Sequence, residues 1–394
     1  MAEHVEMPRF SQNERDQRWA RVREAMAARE IAVIVTYAHS GHNQQWEADS
    51  RYLSHCGGGG SSTACVFPLD GHPTVIVLNR PEFWSAAQDW IADVRPAGWV
   101  WSNPIISRLR ELGIDREKIG ISSLTGNLRA REGTMTHTQH EALRAAFPNA
   151  TFEDVSLMMG ELRAVKSPEE IAVLEKATQI TEAGVHGMVE AARPGVRDYE
   201  VHAALYYAMM KQGCEVPTMV IYGSGPFPTH DAFVPTHRTL QRGDMLANEI
   251  EGKWMGYSAQ RVQPVVLGDP PPGALNTMDK QRTVFNAALE RLKPGTRFGE
   301  IATYMEEVAQ ELNAKVNLTM HGRGLGEDRP MLVGGALTPD VANFVLQEGN
   351  VFIMKPNVRP ADGPGLTWGD TVLVTANGGR RLGSDKQELV VIPC

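Results

Sequence analysis

The sequence predicts a two-domain α+β chain: an α/β domain over residues 1–160, then a larger domain over 161–394. Three observations carry this. The 394 residues exceed a single domain of about 150. Helix-like and strand-like segments alternate up to about Gly160. A strong new helix start then follows at Ser167-Pro168-Glu169-Glu170, with a capping serine, proline in the first helical position and glutamate in the third.

The elements follow in order. Gln12 to Glu30 reads as a charged amphipathic helix with Trp19, Val22 and Met26 on one face. Ile31 to Tyr37 is apolar and β-branched, a buried strand. Thr63–Phe67 and Thr74–Leu78 flank Leu69-Asp70-Gly71-His72, a hairpin signal. Lys118–Ser122 is a short strand. The helix opened at Ser167 should run to about Ala192 and stop at Arg193-Pro194-Gly195. A second should run from Tyr199 to Gln212 and end at Gly213. Strands dominate the remainder, with one further long helix at about Phe298–Asn313.

Composition narrows the function classes. Hydrophobic residues make up 42% and charged residues 22%, as in ordinary globular proteins. The net charge of −8 argues against a nucleic-acid or membrane-surface role. Cys56, Cys65, Cys214 and Cys394 form no CxxC pair, which excludes a zinc knuckle and fits free thiols in a reducing, cytoplasmic setting. Met1 to Gln12 carries no apolar core of a signal peptide, and no apolar run reaches the roughly 18 residues of a spanning helix. Gly57 to Ser62 lacks the Lys-Ser/Thr of a phosphate loop and reads as a loop between strands; the functional alternative is that its backbone, at Gly59 and Ser61, borders a ligand.

Ordered motifs then carry a family resemblance. Ala164 to Ile171 (AVKSPEEI) is followed by Arg193-Pro194-Gly195, Thr229-His230, Thr239 to Asp244, Gly256-Tyr257, His321-Gly322-Arg323-Gly324-Leu325, Gly349 to Pro356 and Asp370 to Thr375. This series resembles the creatinase/aminopeptidase P/prolidase family. The resemblance implies an N-terminal creatinase/prolidase-like α/β domain followed by a pita-bread catalytic domain.

Metallopeptidases of that family hold two divalent metals with Asp, Asp, His, Glu and Glu. The matching positions here are Glu249, Gln260, His321, Lys355 and Gly369. The family set carries −4 formally; this set sums to zero. Oxygen-rich divalent sites need several carboxylates, so no metal and no cofactor is expected. A second histidine of the peptidases is matched by Asp328, which also speaks against peptide hydrolysis.

Creatinase is the family precedent for metal-free cleavage of a C–N bond, using a histidine as general acid/base. The resemblance places that role on His230, with His237 as the other candidate, and adds His321 and Glu249 to the catalytic set. Lys355, Arg323, Arg261 and Tyr257 are expected to bind substrate, the cations suggesting a carboxylate-bearing one. Lys355 and Glu249 should face each other, either as a functional ammonium or as an ion pair filling the metal site. The expected activity is metal-independent hydrolysis of an amide- or amidine-type C–N bond in a small catabolic substrate. A non-catalytic binding module and a lyase or isomerase in the same cavity remain open. A homodimer is expected from the resemblance and from the prevalence of two-fold assemblies.

Overall fold

The structure is a computed structural model that describes residues 5–38, 46–58, 61–78, 80–125, 133–226, 234–333 and 337–394. It comprises two compact units, Met1–Arg163 with Leu325–Asp328, and Ala164–Gly324 with Arg329–Cys394.

The first unit is built on a mixed six-stranded sheet. Its strands are β1 (Ile31–Ala38), β2 (Thr63–Pro68), β3 (Thr74–Val77), β4 (Asp93–Pro96), β5 (Lys118–Ile121) and β6 (Thr151–Asp154), in the order β4-β3-β2-β1-β5-β6. The central pairs β1–β2 and β2–β3 are antiparallel and the outer ones parallel. Gly71 in the β2–β3 connection has φ +95°, a conformation glycine adopts without a Cβ penalty. The first helix, Gln12–Ala27, is capped by Ser11 and buries Trp19, Val22 and Met26 as its apolar spacing predicts. Cys56 and Cys65 are buried within this unit, and burial pushes the Cys56 thiol up to about 12, so neither is a reactive thiolate.

The second unit has two sheets. One comprises β7 (Ile221–Gly225), β8 (Met245–Trp254), β9 (Tyr257–Arg261), β10 (Val265–Leu267) and, at its edge, β17 (Val390–Ile392). The other comprises β11 (Ala314–Gly322), β12 (Met331–Leu332), β13 (Val351–Pro360), β14 (Leu366–Thr367), β15 (Asp370–Thr375) and β16 (Gly378–Arg381). Helix Pro168–Ala191 closes its first turn with a Ser167/Glu170 capping box, as the sequence predicts. It packs so closely on β8 that a Cβ at Gly252 would lie 2.7 Å from the Ala177 carbonyl oxygen. Helices Asp198–Met210 and Phe298–Glu311 also fall where expected.

Helix Ala274–Arg291 was not expected. Its buried face, Ala274, Thr277, Met278, Gln281, Val284, Phe285 and Ala288, has helical spacing. Thr277 and Gln281 interrupt that stripe, and Gly273 starts the helix without a side-chain cap, so the local signals were weak. Gln281 is buried because its amide donates to the Trp368 carbonyl (2.7 Å).

His202, on helix Asp198–Met210, is half-buried against the rings of Tyr206 (4.8 Å) and Tyr222 (6.2 Å). Burial holds its imidazole below the ordinary range. The unfolded chain therefore binds the proton more readily, and stability should fall as pH drops through about 6.5. Urea midpoints measured at pH 7.5 and 5.5 should differ less in His202→Gln than in the parent chain.

Among the described residues no helix is long and apolar enough to cross a membrane.

Candidate functional site

A two-residue turn sets the first wall of the site. Met255 (φ +51°) and Gly256 (φ +83°) connect β8 to β9 in the left-handed geometry that matches strand twist, and Trp254 pairs with Tyr257 across it. The register then places Glu251 opposite Gln260. Side chains of directly opposed residues share a face, and those two apart along a strand do too. Glu249, Glu251, Gln260 and Val262 therefore lie on one face.

The second wall comes from the other sheet. Thr319 pairs with Lys355, His321 with Ile353, and Ile353 with Thr371. His321, Lys355, Gly369 and Thr371 thus share a face as well. The two walls are stitched at their edges. Val262 N–H donates to the Gly369 carbonyl (3.0 Å), and Gly369 N–H donates back (3.1 Å). Gln260 N–H donates to Thr371 Oγ1 (2.9 Å), whose hydroxyl donates to the Gln260 carbonyl (3.0 Å).

At the seam, Lys355 Nζ donates to Glu249 Oε2 (2.5 Å) and to Gln260 Oε1 (3.2 Å). Gln260 Nε2 donates to the same Glu249 oxygen (3.2 Å). Three side chains form a closed ring of hydrogen bonds, with Lys355 and Gln260 buried and Glu249 partly so. Gly369 makes room for it: a Cβ there would sit 2.5 Å from Lys355 Cβ and 3.0 Å from its Cα. Gly369→Ala should accordingly lower stability by about 2 kcal/mol, an overpacking cost, in chemical denaturation.

The remaining expected site residues fall into three environments. His321 is fully buried on β11, its Nδ1 3.4 Å from the Gly322 carbonyl oxygen. Arg323 is fully buried with its guanidinium 2.9 Å from Glu251 Oε2. Tyr257, also buried, donates its hydroxyl to Glu170 Oε1 (2.7 Å). Arg261 follows Gln260 and so points to the opposite face. There it lies over Trp368 (5.0 Å) beside Glu182 (3.4 Å), Asp385 (3.8 Å) and Asp370 (4.0 Å). These contacts are internal to the unit, and burial holds the Arg261 guanidinium below its ordinary value. His237 is exposed, its ring 5.4 Å from Tyr199. Ser61 N–H donates to the Gly58 carbonyl (3.0 Å). His230 and Gly59 lie outside the described residues.

Charge does not accumulate as the sequence suggested. Lys355 meets Glu249, Arg323 meets Glu251, and Arg261 meets Glu182 and Asp370. A surplus of cations was the ground for a carboxylate-bearing substrate, and these pairings remove it. The partners Glu251 and Glu182 went unnoticed in the sequence. Glu251 was recoverable, since it stands two residues from Glu249 on one strand; Glu182, on a distant helix, left no local signal.

A model of metallopeptidase family M24 matches residues 172–376, and one of the creatinase/prolidase N-terminal domain matches residues 18–165. The chain belongs to metallopeptidase family M24. Among family relatives, a creatinase from a Bacillus species is 27% identical over 390 residues, 94% of this chain and 90% of that protein. An Xaa-Pro dipeptidase from Pyrococcus furiosus is 26% identical over 273 residues, 66% of this chain and 74% of that one. The solved Xaa-Pro dipeptidase from Bacillus anthracis superposes with a TM-score of 0.76 at 21% identity, covering 96% of this chain and all of that one, a likeness of fold. The resemblance and two-part fold read from the motifs are those found.

The residues present do not fit the metal pair that the family's name implies. Four of the five matched positions are Glu249, Gln260, Lys355 and Gly369, which supply one carboxylate, and that carboxylate already accepts two hydrogen bonds. The ammonium lies where a cation would have to be, and like charges repel. Gly369 cannot regain a side chain without displacing Lys355.

Proposed function

We propose that this chain is a metal-independent, creatinase-like hydrolase that cleaves an amide- or amidine-type C–N bond in a small catabolic substrate, and is not a functional Xaa-Pro peptidase. The observation that supports this most is the Lys355–Glu249–Gln260 ring at three positions of the family's metal set. The creatinase relative, matching along 94% of the chain, favours the same chemistry.

The reaction adds water across the bond. The water oxygen joins the carbon, the C–N bond breaks, and the departing nitrogen takes a proton. His230 is assigned as the general base toward water and the acid toward nitrogen, because an imidazole titrates near working pH. His321 and Glu249 complete the catalytic set. Lys355, held by two acceptors, is a fixed positive charge beside the cleft, suited to stabilising negative charge that develops on the reacting carbon's substituent. We take the protein to be a cytoplasmic homodimer.

The test is turnover on a panel of amides, amidines and carbamates after dialysis against EDTA, with the metal content measured on the same sample. Activity should persist without stoichiometric metal, and His230→Ala should abolish it. Activity lost on dialysis and restored by Mn²⁺ or Co²⁺ would refute the reading. Label from oxygen-18 water must appear in the product; an unlabelled product would indicate a lyase or isomerase.

A further inference from the structure

A cleft of about 300 Å³ opens in the second unit beside the ring, walled by residues of β8, the end of β9 and the β13–β14 hairpin. Met245, Ala247, Val262, Pro264, Leu366 and Thr367 line it. Its position follows from strand periodicity. Ala247 stands two residues before Glu249, and Val262 two after Gln260, so both extend the face that bears the ring. Asn357 stands two after Lys355 and donates to Thr367 Oγ1 on the cleft wall (2.6 Å). The cleft thus lies, by strand alternation, along the same face as the ring.

The amide side chains next to the cleft, Asn248 and Gln263, stand by strand alternation on the face opposite the ring and are engaged there. Asn248 Nδ2 donates to the Gln263 carbonyl (2.6 Å), and Gln263 N–H donates to Asn248 Oδ1 (3.0 Å). Gln263 Nε2 donates to the Glu388 carbonyl (2.7 Å). On the ring-bearing side the lining side chains Met245, Ala247, Val262, Pro264 and Leu366 are hydrocarbon, and Thr367 Oγ1 already accepts from Asn357, so a ligand there meets mainly hydrocarbon. On size, a cavity of about 150 Å³ lined by apolar side chains takes up benzene.

We propose that this cleft receives a compact apolar group of the substrate, of butyl to cyclohexyl size, while the C–N bond lies over the Lys355 ring. This rests on the functional reading above and narrows its substrate class to amides or amidines bearing one such hydrocarbon group. Purely polar substrates of creatine's kind fall outside it. The paired charges along the face agree, since Lys355 and Arg323 each already face a carboxylate.

Isothermal titration of the full-length chain in EDTA with acetamide, butanamide and cyclohexanecarboxamide tests the cleft directly. Each buried methylene should tighten binding roughly fourfold, so butanamide should bind about tenfold or more tighter than acetamide. Ala247→Leu fills the cleft from its wall and Pro364→Trp from its rim, and each should abolish that gain. Should Ala247→Leu fail to fold by circular dichroism, the rim variant decides. Equal affinities across the series, no binding of any amide, or a gain that survives filling would overturn the proposal. Metal-dependent turnover would sink the hydrolase reading while leaving the chain-length gain intact, so the two failures are distinguishable.

Discussion

Lys355→Met should cost about 3 kcal/mol of stability and abolish turnover. Removing one member of a buried ion pair leaves the other uncompensated, at a cost of about 3–5 kcal/mol. Glu249 retains 16% side-chain exposure against 5% for Lys355, so water relieves part of the stranded charge and the lower end applies. Gln260 adds to the loss, because its Oε1 gives up the Lys355 donor. Adding Glu249→Gln to the same chain removes the stranded carboxylate and should recover more than half of the stability, but no activity. Urea unfolding of the four chains of this cycle measures the coupling. A Lys355→Met protein as stable as the parent would show that the ring is not what holds the seam. Lys355→Glu should not restore metal binding on its own, because Gln260 and Gly369 still withhold two ligands.

Arg261→Met should destabilise by about 4 kcal/mol, through a different route. Arg261 is the cation around which Glu182, Asp370 and Asp385 gather, with Trp368 beneath it. Burial already pushes the Asp370 carboxyl above its ordinary range, with Arg261 and Arg381 pulling it back. Without Arg261 that upward displacement grows. A group whose folded-state affinity for protons exceeds its unfolded one stabilises at low pH and loses that contribution as pH rises through the folded pKa. The penalty of Arg261→Met should therefore be smaller at pH 5 than at pH 7.5. Comparing urea midpoints of both proteins at the two pH values checks the sign, and a penalty independent of pH would contradict the account. Arg261→Lys should recover less than half, since a point charge cannot span the Trp368 face, Glu182 and Gln263 together.

How much of this was legible in the sequence depends on the range of the interactions. The capping box at Ser167 and the Trp19/Val22/Met26 stripe are local, and both elements stand where those signals put them. The motif series placed the family. What escaped was set by distant chain. Arg261 read as a substrate-binding cation because Glu182, Asp370 and Asp385, spread over the whole second unit, could not be seen to converge on it. Leu325–Asp328 belongs with the first unit, where Asp328 receives an Arg163 hydrogen bond (2.7 Å), although nothing in its local composition signals this. Helix Ala274–Arg291 was obscured by the buried Thr277 and Gln281; Thr277 donates to the Gly273 carbonyl at the helix start, and Gln281 to the distant Trp368 carbonyl.

The seam between the two sheets also bears on how the molecule comes together in time. Lys355 and Glu249 are 106 residues apart in the chain, and Gln260 and Thr371 are 111 apart. Within each wall the pairing strands are closer in sequence, Met245–Trp254 with Tyr257–Arg261 and Ala314–Gly322 with Val351–Pro360, whereas the reciprocal Val262–Gly369 bonds need a longer loop to close first. The Lys355–Glu249–Gln260 ring thus has no existence within either wall alone. Until the seam zips, Lys355 and Glu249 are two separately hydrated charges, and the second unit is a pair of sheets without the ring that joins them. The amide protons of Val262 and Gly369 are natural clocks for that final event.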